Sequence, residues 1–251
     1  RTTQSAAPAK PAARGWSAAE PAERQPKTGG DPSFALVVDL SAFAERQPGD
    51  GGRPVPLPAE LEFIARRGGE WVTTTLTDSD SNVFHKALAY TTPDGQAALL
   101  TGGGSKAILK LWTKEAGQFV SQTLWERDFG GRFSRIRDIE VGDIDGDGLA
   151  DIATVSLRNQ DNGIGPDPTG ERRGTGKFYI LLSSDINATP PGTVMSVGDA
   201  ALAWMGESGG DAMGYGVNSI GDFDGDGLDD LSAGSYGHSE NGNASGKSYI
   251  I

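Results

Sequence analysis

From Phe34 onward, apolar residues fall in short runs that alternate with polar ones at period two and are broken by glycine-rich turns. That period belongs to strands that bury one face, and no helix-period stripe of useful length interrupts it. Residues 61–76 lie without gaps on residues 109–124, an offset of 48. Leu61 falls on Leu109, Gly69 on Gly117, Trp71 on Phe119, Val72 on Val120, Thr75 on Thr123 and Leu76 on Leu124. Each copy reads strand, turn, strand: a hairpin whose β-branched and aromatic residues suit a half-buried pleated surface. Further strands are predicted at Val83–Tyr90, Ala97–Thr101, Ile136–Val141, Asp151–Leu157, Lys177–Leu182, Tyr215–Ile220, Asp230–Gly234 and Lys247–Ile251. Grouped in fours, they give units at 84–127 and 134–206, a partial unit at 34–80 before them and a truncated unit at 213–251 after them. The expected fold is therefore all-β, and repeated four-stranded antiparallel units with glycine turns point to the blades of a β-propeller. A β-sandwich also spaces short strands regularly; the ungapped offset favours the propeller.

Composition narrows the partners. The chain has 251 residues, and its 37 glycines and 14 prolines make up about a fifth of it, in keeping with many turns. With 22 Lys and Arg against 34 Asp and Glu, the formal net charge is -12. That balance disfavours nucleic acid and anionic membrane surfaces, which need a basic patch, and leaves room for a metal cation. The absence of cysteine excludes disulfides, zinc-thiolate sites and thiol catalysis. No apolar run reaches the ~20 residues that cross a bilayer, so no transmembrane segment is expected. Residues 1–33 are Ala, Pro, Lys, Arg and Gln with scattered Ser. Such a stretch buries too little apolar area to offset its ordering entropy, and it is predicted to be a disordered linker. The chain opens on Arg1 with no apolar leader, as expected for a processed or excised piece of a longer protein.

The aspartates are arranged. Gly142-Asp143-Ile144-Asp145-Gly146-Asp147-Gly148-Leu149-Ala150-Asp151-Ile152 is nearly repeated as Gly221-Asp222-Phe223-Asp224-Gly225-Asp226-Gly227-Leu228-Asp229-Asp230-Leu231. Counting from the first aspartate, carboxylates stand at positions 1, 3, 5 and 9, with glycine at position 6. Four carboxylates within nine residues repel one another unless a cation neutralises them. Ca²⁺ takes six to eight oxygens at ~2.4 Å in loose geometry, which such a loop supplies with one carbonyl and water. The predicted ligands of two Ca²⁺ sites are Asp143, Asp145, Asp147, Asp151 and the Leu149 carbonyl, and Asp222, Asp224, Asp226, Asp230 and the Leu228 carbonyl. Two bound Ca²⁺ would bring the formal charge from -12 to -8. An EF-hand needs a bidentate Glu at position 12, where this chain has Thr154 and Ala233, and a strand follows each loop where an EF-hand has a helix.

These residues carry a resemblance. The pattern Gly-Asp-x-Asp-Gly-Asp-Gly-x-x-Asp-(Ile/Leu), with Met213-Gly-Tyr215-Gly216-Val217 before it and Leu231-Ser-Ala-Gly234 and Gly246-Lys-Ser-Tyr249 after it, resembles the FG-GAP repeat of integrin α-chain propellers. It is equally similar to bacterial VCBS-type repeats. The middle unit departs from the pattern, because its aromatic-glycine pair, Phe129-Gly130, lies upstream of the first strand; the earliest units keep only Asp94-Gly95 of the loop. The resemblance implies structural calcium within a blade and a protein or carbohydrate ligand on a propeller face. It also implies an extracellular or cell-surface adhesion or recognition module, anchored through the linker. Two full units and two partial ones fall short of a closed ring, so a fragment is expected. The alternatives are an accessory propeller of a larger secreted enzyme, polysaccharide-degrading or lipase-like, and a sugar-binding lectin.

No catalytic site is expected. Gly206-Glu-Ser208-Gly-Gly210 fits the nucleophile-elbow spacing but lacks the following helix. Gly246-Lys-Ser248 is similar to a phosphate loop but has Asn241 where the first glycine should stand. His85, on an alternating strand, is read as a packed or rim residue, and His238, in a Gly/Ser/Asn loop, as solvated. Residues 158–176 form a long loop that reads equally as a functional loop or a disordered insertion. Trp71, Trp112, Trp125 and Trp204 are expected to pack between blades.

Overall fold

The computed structural model describes residues 35–40, 43–44, 55–128, 134–156, 174–190 and 192–251. The expected linker at 1–33, Phe129-Gly130 and most of the loop 158–176 lie outside the described residues. Residues 33–251 form one unit separate from residues 1–32.

Within that unit, the described residues form four larger antiparallel sheets in succession and one two-stranded ribbon. β1 (Ala35–Leu40) is followed by a ribbon of β2 (Phe43–Ala44) and β3 (Val55–Pro56); β4 (Ala59–Arg67) and β5 (Glu70–Asp78) then complete the first sheet, in the order β1-β4-β5. The second is a meander of β6 (Ser81–Thr91), β7 (Ala97–Ser105), β8 (Ala107–Glu115) and β9 (Gln118–Arg127), with β10 (Ser134–Arg135) added against β7. The third is the meander β11 (Asp138–Gly142), β12 (Asp151–Ser156), β13 (Lys177–Leu181) and β14 (Leu202–Met205). The fourth comprises β15 (Met213–Gly221), β16 (Asp230–Ser235) and β17 (Lys247–Ile250). Among the described residues, helix is confined to α1 (Ser183–Ala188) and the single 3-10 turn Val197–Asp199, both between β13 and β14.

The repeated hairpin is present at the expected offset, as β4–β5 and β8–β9. Its turns are Gly68-Gly69, with φ of 57° and 86°, and Ala116-Gly117, with φ of 48° and 84°. Two successive positive φ values give the turn whose twist matches that of the flanking strands, which is why glycine recurs there. The copies differ by one irregularity of register, between Leu109 and Lys110.

Side-chain alternation explains why the sheets stack. On the third sheet Ile152, Tyr179 and Leu181, with Ile139 of the same sheet, face the second sheet and pack with Leu100, Leu109 and Trp125. Their neighbours in sequence, Ala153, Val155, Phe178 and Ile180, point the other way and pack with Met213, Val217, Leu231 and Ala233 of the fourth. All of β12 is therefore buried and loses the polar alternation of a one-sided strand. Leu61 and Leu76 of the first sheet pack with Phe84, Leu99 and Trp112 of the second. Each large side chain so buried contributes about 1.5–3 kcal/mol. First strands meet across the sheets, β6 with β11 and β11 with β15. Lys86 on β6 pairs with Glu140 and, at 2.9 Å, with Asp138 of β11, and Asp138 accepts the Val217 amide of β15 at 3.1 Å.

The tryptophans do not behave as a set. Trp112 and Trp125 are buried, but Trp71 is 60% and Trp204 37% exposed. Trp71 lies on β5 and Trp204 on β14, each at the end of its sheet's strand order among the described residues. Among the described residues the sheets form a series, and closure into a ring is not shown.

Candidate metal centre

Both aspartate loops occupy the same place in their sheets, between the first and second strands: residues 143–150 join β11 to β12, and 222–229 join β15 to β16. In the second sheet that place is held by a short turn in which the Thr92 hydroxyl donates to Asp94 and the Gln96 amide donates to Thr92 Oγ1 at 2.9 Å.

Short aspartate side chains bond the backbone just ahead of them, which is why this composition folds into a tight loop. The amides of Asp147 and Leu149 donate to Asp145 Oδ1 (3.2 Å) and Asp147 Oδ1 (2.8 Å). In the second loop, Asp226 and Leu228 do the same to Asp224 Oδ1 (3.0 Å) and Asp226 Oδ1 (2.9 Å). Gly148 donates to Asp143 Oδ2 at 3.0 Å and Gly227 to Asp222 Oδ2 at 3.2 Å. Across each loop, Ile144 donates to Asp151 Oδ2 (2.9 Å) and Phe223 to Asp230 Oδ2 (2.7 Å). The sequence repeat is thus a repeat of backbone geometry.

The same loops also bring carboxylates together. One carboxylate oxygen each from Asp143, Asp145 and Asp151 lies within 4.8 Å of the others, and Asp222, Asp224 and Asp226 form a like group. Oxygens bound ~2.4 Å from one ion stand no more than about 4.8 Å apart, so each group spans a single Ca²⁺. Asp143 Oδ1 is sealed from solvent without a hydrogen-bond partner. A buried acceptor left so costs about 1–3 kcal/mol, which a cation at the centre of the group would remove. The first loop therefore fits a hard divalent cation on geometry and on this orphaned oxygen; the second fits on its donor set.

The groups take different members of the expected sets. Asp147 stands outside the first, and its Oδ2 accepts the Ser183 hydroxyl at 3.0 Å. Asp230 stands outside the second, where its Oδ2 also accepts the Asp224 amide at 3.2 Å. Leu149 and Leu228 occupy equivalent places, their amides committed to the preceding aspartates. Asp151 is fully buried, and Ser183 N donates to its Oδ1 at 2.7 Å. Burial pushes the Asp151 carboxyl above its usual range, the Ser183 and Ile144 amides pull it back, and the charge of Asp145 raises it further. Tyr90, whose hydroxyl donates to the Ala150 carbonyl at 3.1 Å, is pushed up to about 12 by burial and then by Asp151 and Asp147. Sequence reading missed Ser183, Tyr90 and Asp229; the only local sign of the last is the doubled aspartate where the first loop has Ala150.

His238 is buried, not solvated, at 6% exposure, because the turn after β16 folds it onto the segment before β15. Its Nδ1 lies 3.2 Å from Asp211 Oδ2 and its Nε2 3.3 Å from Glu240 Oε2, and hydrogen bonding to Asp211 raises its pKa. Ser208 meets this cluster through its amide, which donates to Asp211 Oδ2 at 2.8 Å. The Nε2 that a serine nucleophile would need is thus already engaged by a carboxylate. His85 is half-buried with Arg137 Nη1 at 3.4 Å, and its pKa falls to about 4 through burial and the charges of Arg135 and Arg137.

Residues 214–251 match the family model of the FG-GAP repeat, a span that contains the second aspartate loop and β16–β17. No curated protein matches the chain.

Proposed function

We propose, from the premise that residues 214–251 are an FG-GAP repeat, that the chain is a segment of a calcium-stabilised β-propeller that serves extracellular adhesion or ligand recognition, binding a protein or carbohydrate on a propeller face. The carrying observation is the pair of aspartate loops, each gathering three carboxylates within 4.8 Å at the same place in its sheet. When bound, calcium supplies the positive charge that lets these carboxylates converge. The chain's own residues do the rest: Asp143, Asp145 and Asp151 hold the first ion and Asp222, Asp224 and Asp226 the second, while Asp147 and Asp230 fix the loop backbones. The role is structural, since each ion would tie the end of one strand to the start of the next.

The second loop is exposed, which suits a weak site filled at extracellular calcium of about 10⁻⁴–10⁻³ M. A binding role is favoured over catalysis because both histidines are engaged, His238 by carboxylates and His85 beside Arg137. Thermal unfolding with calcium and with EDTA tests the proposal. Calcium at 100 times its dissociation constant should add about 2.7 kcal/mol per site; an unchanged midpoint would count against it.

A further inference from the structure

We propose that the two aspartate loops take up their cations as a coupled pair, with Asp229 as the positioning residue through which the second loop sets the affinity of the first. The inference rests on the calcium reading above and concerns regulation of the same sites.

Asp143 opens the first ligand group, yet its backbone is held from the other loop. Its amide donates to Asp229 Oδ2 at 3.0 Å, and its carbonyl accepts the Asp229 amide at 2.9 Å. One residue, 86 positions further along the chain, thus fixes both sides of the ligand whose Oδ1 is buried without a partner. The neighbouring contacts are as close. A Cβ on Gly146 would lie 2.7 Å from Leu228 Cδ2, and one on Gly142 would lie 3.1 Å from Asp229 Cβ, so residues 228–229 form the floor of the first loop.

The same residues are tied to the second ligand group. The Leu228 amide donates to Asp226 Oδ1, and Asp230, next to Asp229, accepts the amides of Phe223 and Asp224. A cation that fixes Asp226 also fixes Leu228 and Asp229, and with them the frame of Asp143. A loop already ordered by its neighbour has less conformational entropy left to lose on binding, so the coupling is positive and reciprocal. The equivalent position in the first loop is Ala150, whose carbonyl meets the Tyr90 hydroxyl and no second ligand group among the described residues. The relay thus runs between these two loops through the one position at which their sequences differ most in chemistry.

Calcium titration of the full chain by calorimetry tests this. Asp224→Ala, which removes a ligand oxygen outright, leaves only the first site to be read and Asp145→Ala only the second. In the wild type, affinity should exceed that of the two single-site isotherms added together by about fivefold or more, the usual scale of coupling. Asp229→Ala should collapse the wild-type isotherm onto that additive curve with the second ligand group intact. Asp229→Asn, which keeps an acceptor oxygen for the Asp143 amide, should restore most of the coupling. A wild-type isotherm equal to the additive curve overturns the inference while leaving calcium binding in place, and that comparison needs no Asp229 variant to fold. Absence of any calcium heat in the wild type overturns the calcium reading and the coupling with it.

Discussion

Asp151→Ala isolates what a single buried carboxylate does for the first loop. Two backbone amides lose their acceptor, Ile144 N at 2.9 Å and Ser183 N at 2.7 Å, and both Asp151 and Ser183 are fully buried. Orphaned buried donors cost about 1–3 kcal/mol each. Relief of a desolvated charge offsets part of that, so a net loss of about 2–4 kcal/mol is expected. In a unit of this size 1 kcal/mol moves the midpoint by roughly 2–4 °C, which puts the fall at about 4–16 °C. The equivalent change in the second loop, Asp230→Ala, frees the amides of Phe223 and Asp224 on an exposed loop, where water replaces the carboxylate. Its cost should stay below about 1 kcal/mol. Scanning calorimetry of the full chain in EDTA compares the two without any cation. Equal shifts, or a larger one for Asp230→Ala, would refute the reasoning that burial and not loop geometry sets the difference.

Gly176→Ala should destabilise by more than about 3 kcal/mol, because φ is +72° and the new Cβ would lie 2.5 Å from Met213 N and 2.8 Å from Met213 C; chemical denaturation reads the loss. Lys110→Met leaves Asp78 buried without its ion-pair partner and should cost about 3–5 kcal/mol, whereas Lys110→Met with Asp78→Leu should recover most of it in the same assay. His85 titrates near 4 in the folded chain against 6.5 unfolded, so between these values the unfolded chain binds the extra proton. Stability should therefore fall as pH drops from 6.5 towards 4, and His85→Phe should flatten that slope in denaturation midpoints measured against pH. His238 has the opposite sign, its pKa being raised, so its contribution is present below 6.5 and lost as pH rises through the folded value.

What the sequence makes legible is what local bonding decides. The hairpin repeat shows because the spacing from Leu61 to Leu76 is copied at Leu109 to Leu124, down to the turn glycine. The aspartate loops show because their backbone bonds run from residue i to i+2, i+5 and i+7, so one short motif specifies the whole arrangement. Contacts between residues far apart in the chain leave no such trace. Asp229 meets Asp143 across 86 residues, and the Ser183 hydroxyl donates to Asp147 from 36 residues away. His238 looks solvated in a Gly/Ser/Asn stretch, yet a buried aspartate 27 residues earlier pulls it under. The helix α1 is six residues long, too short for a 3.6-residue period to register, and β14 is four apolar residues in a row, without the period-two alternation that marks the predicted strands.

The most direct measurement is the number of calcium ions bound per chain at equilibrium, by dialysis against millimolar calcium followed by metal analysis. Two ions are expected for the wild-type chain and none for Asp143→Ala with Asp222→Ala. A wild-type chain that retains no calcium, or a double variant that still retains two ions, would contradict the assignment of the aspartate loops as cation sites.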